Sequence, residues 1–170
     1  MLLDAATTLS AEYAALRRAA AQDPDAITTL APVSLDADAP PTPAILTRLL
    51  ENDSISHNVK PVRDYGHLKH IFATSIADSK ELRNIVLINC GSNVSLEDEL
   101  EAELGRIDAE RPGGVRSFDE VPDPECRWWV IDSHRPFNVD NAAAGGKICV
   151  FGESDDDEGR EQLDELLQLR

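Results

Sequence analysis

The sequence predicts an α/β fold, in which a doubly wound, mostly parallel sheet of about five strands is flanked by helices. Two observations support this fold class. Short apolar runs of strand length alternate along the chain with longer amphipathic stretches, as in successive β-α-β units. The clearest runs, 85–88 and 128–131, are apolar at consecutive positions and close on polar residues. Unbroken apolar runs of this kind are typical of parallel strands that are buried on both faces.

Length and charge indicate one folded domain with an acidic surface. The chain has 170 residues, of which 42% are hydrophobic, and this is enough to form a core. We expect a folded domain over 1–152 and an acidic, mobile tail, or the start of an acidic insertion, over 153–170, with a short helix at 160–169. The acidic clusters at 97–103 and 153–165 are interpreted as solvated or partner-facing surfaces. The formal net charge of −16 argues against a general electrostatic attraction to nucleic acid.

Composition also bears on the cellular compartment. No apolar run approaches the roughly 20 residues that a membrane span requires, and the first residues lack the pattern of a secretory signal. We therefore expect no association with a membrane. The three cysteines, Cys90, Cys126 and Cys149, fit no zinc-binding spacing. Their odd number is simplest to explain in a reducing, intracellular compartment.

The first third of the chain predicts a helix, a strand and a second helix. Residues 2–22 are rich in Ala and Leu and contain no Gly or Pro, which favours an amphipathic helix. Residues 26–35 contain β-branched Ile, Thr and Val and predict the first strand. Pro32 interrupts this strand, and proline is tolerated only at a sheet edge or a bulge. Residues 43–51 then predict a helix with a proline in its first turn.

The middle third predicts a strand, a helix and the clearest strand of the chain. Residues 58–62 are a candidate second strand, and 65–75 are a candidate helix. The apolar residues of that helix share one face, as packing against a core requires. They are Leu68, Ile71, Phe72 and Ile76. Residues 82–91 predict the next strand and the turn that follows it.

The last third predicts a capped helix and two strands. Ser95 is placed as the cap of a helix, and Asp98 as its third residue, so that the pair forms a capping box. This acidic helix runs towards Arg111. Residues 125–131 predict a buried strand, and 147–151 predict a last short strand after a glycine turn.

Polar residues follow three of the predicted strands. Asp36 and Asp38 follow the first strand, Asn89 follows the clearest one, and Asp132 and His134 follow the strand at 125–131. They converge if these strands are neighbours, because open α/β sheets bind ligands beyond the carboxyl ends of their strands. Carboxylates and an imidazole suit Mn²⁺ or Mg²⁺, and two such ions activate water for phosphodiester hydrolysis. The same residues also form side-chain turns and helix caps, and we favour this structural interpretation.

Two sequence blocks carry a resemblance to a known family. Residues 86–94 (VLINCGSNV) resemble a family block that reads LINCGANV, and 132–139 (DSHRPFNV) resemble one that reads DTHRPVNV. Residues 34–39 (SLDADA) resemble its first motif. On these residues the chain resembles the amino-terminal domain of the cell division control protein 45 family, a RecJ-like branch of the DHH phosphoesterase superfamily. The resemblance covers 28–152, and family members are several times longer.

The resemblance implies a vestigial site. Its six positions in this chain are Asp36, Asp38, Asn89, Asp132, Ser133 and His134. Active superfamily members carry DxDxDG, a second-motif Asp and DHH, whereas this chain has Ser34, Asn89 and Ser133 at three ligand positions. Loss of anionic oxygens weakens the binding of hard divalent ions. We therefore expect no catalytic residue, no bound metal and no cofactor. Two interpretations of Arg135 stay open: it pairs with Asp132 or Asp36 and takes the place of a cation, or it faces solvent before a turn proline.

The resemblance also implies a function and its partners. It implies a non-catalytic scaffold subunit for the initiation and elongation of chromosomal DNA replication in the nucleus, bound to the MCM helicase ring and the GINS complex. The family binds single-stranded DNA, but we expect weak binding here because this chain has few basic residues. The alternative is a Mn²⁺-dependent DHH-type phosphoesterase or exonuclease that acts on single-stranded nucleic acid.

Overall fold

The computed structural model describes residues 2–22, 26–35, 41–109, 111, 114–134, 136–143 and 146–152. Six parallel strands form one sheet in the order β1-β6-β5-β4-β2-β3. The strands are β1 (Leu2–Asp4), β2 (Thr29–Ser34), β3 (His57–Val62), β4 (Asn84–Ile88), β5 (Arg127–Ile131) and β6 (Ile148–Gly152). The predicted α/β fold class is confirmed, and the sheet has one strand more than the five expected.

Within the described residues, five helices connect the strands. They are α1 (Ala5–Ala20), α2 (Pro41–Asn52), α3 (Tyr65–Ile71), α4 (Leu96–Asp108) and α5 (Val139–Ala143). A π-helical turn, Phe72–Ile76, continues α3, and a 3₁₀ turn, Phe118–Glu120, precedes β5. The predicted cap of α4 is present, because the Ser95 hydroxyl accepts a hydrogen bond from the Asp98 amide at 3.4 Å. None of the helices in the described part of the chain is long and apolar enough to cross a membrane.

Two apolar cores lie on opposite faces of the sheet, as double winding requires. Side chains alternate between the faces along each strand. In β4, for example, Ile85 and Leu87 belong to the core beneath α3 and α4, whereas Val86 and Ile88 belong to the core beneath α1 and α2. The predicted face of the helix at 65–75 is buried: Leu68, Ile71, Phe72 and Ile76 are each at most 4% exposed.

The prediction of one helix over 2–22 is wrong at its start. Residues Leu2–Asp4 form β1, which pairs in parallel with β6, so that Leu2 lies opposite Val150. The helix α1 begins only at Ala5 and ends at Ala20. Local propensity favours a helix through this stretch, but the pairing partner lies about 150 residues away in the chain. A contact of this kind overrides local propensity and cannot be read from the neighbouring residues.

Pro32 lies in an inner strand, contrary to the expectation of an edge or a bulge. The strand β2 pairs with β3 at all six positions, but its pairing with β4 is found at Thr29, Leu30 and Val33. The interruption falls at Ala31 and Pro32, because proline has no amide hydrogen to donate to the ladder. The strand remains in the sheet through its complete pairing with β3.

Three further predictions change in detail. The helix at 65–75 is α-helical only to Ile71 and then widens into the π turn. The short helix α5 and the 3₁₀ turn were not predicted from the sequence. The acidic tail at 153–170 and its predicted helix lie outside the described residues.

Candidate functional site

A cleft lies at the carboxyl ends of the central strands, where the order of the sheet reverses. From β2 the chain proceeds to β3 on one side, whereas from β4 it proceeds to β5 and β6 on the other. Such a switch point between neighbouring strands, here β2 and β4, is where open α/β sheets bind ligands. The cleft has a volume of about 250 Å³, and its walls include Ser34, Arg63, Tyr65, Asn89 and His134.

The loop after β4 turns sharply into the cleft. The Asn89 amide donates to the Ile131 carbonyl at 2.8 Å, which extends the pairing of β4 with β5 by one residue. Asn89 has a φ of 54°, in the left-handed region that Asn tolerates better than most residues. Gly91 has a φ of 99°, and a Cβ atom at this position would lie only 2.8 Å from Cδ1 of Leu87. Backbone conformation therefore explains the types of both residues.

The carboxylate of Asp132 is used by neighbouring residues of its own chain. Its side chain is 1% exposed. Oδ1 accepts hydrogen bonds from the His134 amide at 3.0 Å and lies 2.7 Å from Nδ1 of the same residue, and Oδ2 accepts from the Ser92 amide at 3.1 Å. A buried carboxylate satisfied by amide hydrogens is a structural hydrogen-bond acceptor.

Two neutral side chains bond to each other beside Asp132. The Ser133 hydroxyl donates to Oδ1 of Asn89 at 2.9 Å. Asn89 is 6% exposed, and its Nδ2 has no hydrogen-bond partner among the residues that the structure describes. The resemblance implies that active members of the superfamily carry an anionic ligand at the position of Asn89 and an imidazole ligand at the position of Ser133. In this chain they form a neutral pair.

The two motif loops, after β4 and after β5, are tied together by a serine. The Ser92 hydroxyl donates to the His134 carbonyl at 3.2 Å, and the Ser92 carbonyl accepts from the Asn138 amide at 2.6 Å. With the bond from the Ser92 amide to Asp132, this residue connects to the β5 loop through three groups. The two blocks that carry the family resemblance thus hold each other in place.

Asn141 and Tyr65 complete the support of the β4 loop, and sequence reasoning missed both. Asn141 is fully buried, and its Nδ2 donates to the carbonyls of Gly91 and Val94 while its Oδ1 accepts from the Leu96 amide. The Tyr65 hydroxyl donates to Oδ1 of Asn93 and accepts from the Gly91 amide. Burial is the main cause that raises the pKa of Tyr65. The sequence carried no signal for either residue, because the helix α5 that contains Asn141 was not predicted.

The structure brings four of the six predicted site residues together. Asn89, Asp132, Ser133 and His134 lie side by side in the two motif loops. Asp36 and Asp38 lie outside the described residues, as does Arg135 with its predicted ion pair. Within the described residues, no group of three or more His, Cys, Asp or Glu side chains is arranged to hold a metal ion.

Comparison with known proteins places this fold and these loops in a family. The family model described as CDC45 matches residues 29–169, a range that includes both motif loops. The chain belongs to the CDC45 family. The cell division control protein 45 homolog of Schizosaccharomyces pombe is 31% identical over 131 residues, which are 77% of this chain and 17% of that protein. The human homolog is 29% identical over 125 residues, 74% of this chain and 18% of that protein.

A solved CDC45 structure has the same fold. The crystal structure of CDC45 from Entamoeba histolytica superposes with a TM-score of 0.68 at 22% sequence identity, covering 91% of this chain and 26% of that chain. The predicted membership and the predicted fold are therefore confirmed. The chain spans less than a fifth of the length of the curated CDC45 relatives described above.

Proposed function

We propose that this chain is a non-catalytic scaffold domain of a chromosomal DNA replication factor, which works in the nucleus with the MCM ring and the GINS complex. Membership in the CDC45 family supports a role in DNA replication. The scaffold role, the partners and the compartment follow from the family resemblance. The six vestigial positions, Asp36, Asp38, Asn89, Asp132, Ser133 and His134, are proposed to act in structure and not in catalysis.

One observation carries the non-catalytic part of the proposal: the buried Asp132 carboxylate accepts hydrogen bonds from two backbone amides of the motif loops. A metal ligand must direct its oxygen lone pairs at the ion. Here both oxygens are already directed at amide hydrogens of Ser92 and His134. Two contacts already use Oδ1 and one uses Oδ2, which reduces the number of lone-pair directions that Asp132 can offer to an ion.

The neutral pair of Asn89 and Ser133 supports the same conclusion. Hard divalent ions are bound according to the number and charge of their oxygen ligands. The amide oxygen of Asn89 adds no charge, and it already accepts a hydrogen bond from the Ser133 hydroxyl. The donor set therefore fits poorly to Mn²⁺, and we propose no hydrolytic step for this chain.

The charges of the described residues support weak binding of single-stranded DNA. Several of the basic side chains in the described residues lie in ion pairs within the chain, for example Arg127 with Glu12, Lys69 with Glu99 and Arg83 with Asp123. Non-specific binding of single strands needs a continuous basic groove and stacking aromatic side chains. A chain of net charge −16 with 5% aromatic residues offers little of either.

The test is a binding assay with purified partners. The chain is immobilised, and purified MCM and GINS complexes are passed over it; we expect saturable binding of at least one. In parallel, calorimetry with Mn²⁺ and cleavage of a labelled single-stranded oligonucleotide are expected to give no signal. Failure to bind either complex contradicts the scaffold proposal. Tight Mn²⁺ binding with cleavage that disappears in Asp132→Ala, while a mutant of the exposed Asp119 stays active, would establish the phosphoesterase instead.

A further inference from the structure

Two histidines lie side by side on α3, apart from the six vestigial positions. His67 and His70 are three residues apart in the sequence, and residues at this spacing are neighbours on a helix surface. Their ring centres are 6.4 Å apart, and the ring planes differ by 29°. Each histidine directly precedes a buried residue, Leu68 or Ile71, so both rings lie on one side of the helix. Imidazole nitrogens are ligands that suit Zn²⁺, Cu²⁺ and Ni²⁺.

Both imidazole rings are accessible to an ion. His70 is exposed, and His67 is half-buried. Nδ1 of His67 is buried and has no hydrogen-bond partner among the described residues, so Nε2 is the nitrogen of this ring that reaches solvent. Lys69 stands between the two histidines in the sequence, but it follows Leu68 and lies on the other side of the helix, where it pairs with Glu99 of α4. Its ammonium group is therefore held away from the histidine pair.

The separation of the rings is close to the separation that one shared ion requires. Zn–N bonds of about 2.0–2.1 Å at a tetrahedral angle bring the centres of two imidazole rings to about 5 Å from each other. The observed 6.4 Å exceeds this value by about 1 Å. Rotation of the exposed His70 side chain between neighbouring torsion angles closes a gap of this size without moving the helix backbone. Water completes the coordination, so the affinity should lie well below that of a four-ligand structural zinc site.

The charge around the histidine pair favours a cation. The net charge of the chain is −16. Near the pair, Arg106 holds the pKa of Glu103 below its usual range, and Lys69 and His70 contribute to the same shift. The Glu103 carboxylate therefore lies within electrostatic range of His70. Hard ions such as Mg²⁺ prefer the carboxylates of this surface, whereas imidazole nitrogens select transition-metal ions.

We propose that His67 and His70 form a surface binding site for a divalent transition-metal ion such as Zn²⁺. An ion bound to both rings connects consecutive turns of α3, a helix of only seven residues. This helix begins at Tyr65, whose hydroxyl contacts the loop after β4 through Gly91 and Asn93. Tyr65 also lines the cleft at the carboxyl ends of the strands. The ion therefore stabilises the helix that forms one wall of that cleft.

The experiment titrates the whole, reduced chain with ZnCl₂ in the presence of excess Mg²⁺, which competes for the surface carboxylates. Binding is measured by calorimetry, and ¹H–¹⁵N spectra of the ¹⁵N-labelled chain follow its four histidine rings. His67→Ala and His70→Ala are compared with His57→Ala. His57 is a matched control, because it is half-buried like His67 but lies on β3, where its Nδ1 is 2.9 Å from the Ile55 carbonyl. Thermal melts establish that each variant is folded before its binding is measured.

We expect saturable binding of one Zn²⁺ ion, with shifts of the His67 and His70 rings and none of the His57 and His134 rings. Binding should be about tenfold weaker or more in His67→Ala and in His70→Ala, and unchanged in His57→Ala. Mn²⁺, which binds such ligands most weakly, should give no measurable heat. The proposal is overturned by binding that survives in both variants of the pair, by equal weakening in His57→Ala, by shifts centred on His134, or by complete loss of Zn²⁺ binding in excess Mg²⁺. The titration contains neither MCM nor GINS, so its result is independent of the scaffold function.

Discussion

Replacing Asp132 by alanine should reduce the stability of the fold and not an enzymatic activity. Its carboxylate is buried and accepts hydrogen bonds from the amides of Ser92 and His134, besides its 2.7 Å contact with the His134 ring. Removing it leaves the buried Ser92 amide and the partly buried His134 amide without their acceptor, and it removes one of the contacts between the loops after β4 and β5. The substitution therefore weakens the contacts that hold both loops in place beside the cleft.

The structure gives the magnitude of this effect. A hydrogen bond to a charged group contributes about 1.5–3 kcal/mol, and a buried donor without a partner costs about 1–3 kcal/mol. These terms are not additive, and measured losses for breaking a buried charged set are about 3–5 kcal/mol. We expect a loss in this range for Asp132→Ala. Asp132→Asn should lose about 1–3 kcal/mol, because it keeps the size and one acceptor oxygen.

Urea unfolding measures this loss directly. With a slope of about 2 kcal/mol per molar, the midpoint of Asp132→Ala should fall by about 2 M. The control is Asp119→Ala, since Asp119 is an exposed carboxylate of the 3₁₀ turn, and it should change stability by less than about 0.5 kcal/mol. Equal unfolding curves for wild type and Asp132→Ala would refute the reasoning, because a carboxylate with this hydrogen bonding cannot be removed without effect.

Three further outcomes are expected. Arg116 binds the buried Asp108 carboxylate through Nε at 2.9 Å and Nη2 at 2.8 Å, so Arg116→Ala should reduce the free energy of unfolding by about 3 kcal/mol near neutral pH. Arg116 lowers the pKa of Asp108, so this stabilisation is present above about pH 4 and is lost as the pH falls. The free energy of unfolding of Arg116→Ala should therefore vary less with pH in acid than that of the wild type. Lys147→Met should lose about 2 kcal/mol in chemical unfolding, since Nζ donates to three backbone carbonyls. The double change Asn89→Asp with Ser133→His should raise Mn²⁺ affinity in calorimetry without efficient cleavage of an oligonucleotide.

Sequence reasoning recovered the inner strands and the helices that carry a strong local pattern. The apolar runs of β4 and β5 predicted both strands, and Ser95 predicted the start of α4. It failed where a distant partner decides the conformation, as at Leu2–Asp4, whose strand exists only through its pairing with β6. It also misjudged Pro32, because β2 is held by β3 and tolerates the missing bond to β4.

The sequence predicted which residues form the candidate site better than it predicted how those residues interact. Polar residues in open α/β sheets lie beyond the carboxyl ends of parallel strands, and this rule predicted that Asn89, Asp132 and His134 lie close together. The structure places them side by side. The sequence did not predict which group donates and which accepts in each hydrogen bond. These roles depend on the conformation of the loop backbone and not on residue spacing. Tyr65 and Asn141 support the site from other elements, and only the folded chain shows which carbonyls and amides they reach.

The motif that contains Asp132 can therefore form part of a metal centre or connect two loops. The hydrogen-bond donors around the Asp132 carboxylate distinguish these two roles. A metal centre needs several anionic oxygens held apart by their neighbours, with an ion to offset their repulsion. Here Asn89 bonds to Ser133 and Asp132 to backbone amides, so the charges that an ion would offset are already reduced or satisfied. In the described residues, hydrogen bonds connect these two loops. A loss of stability in Asp132→Ala, without any change in Mn²⁺ binding, is the outcome that this arrangement predicts.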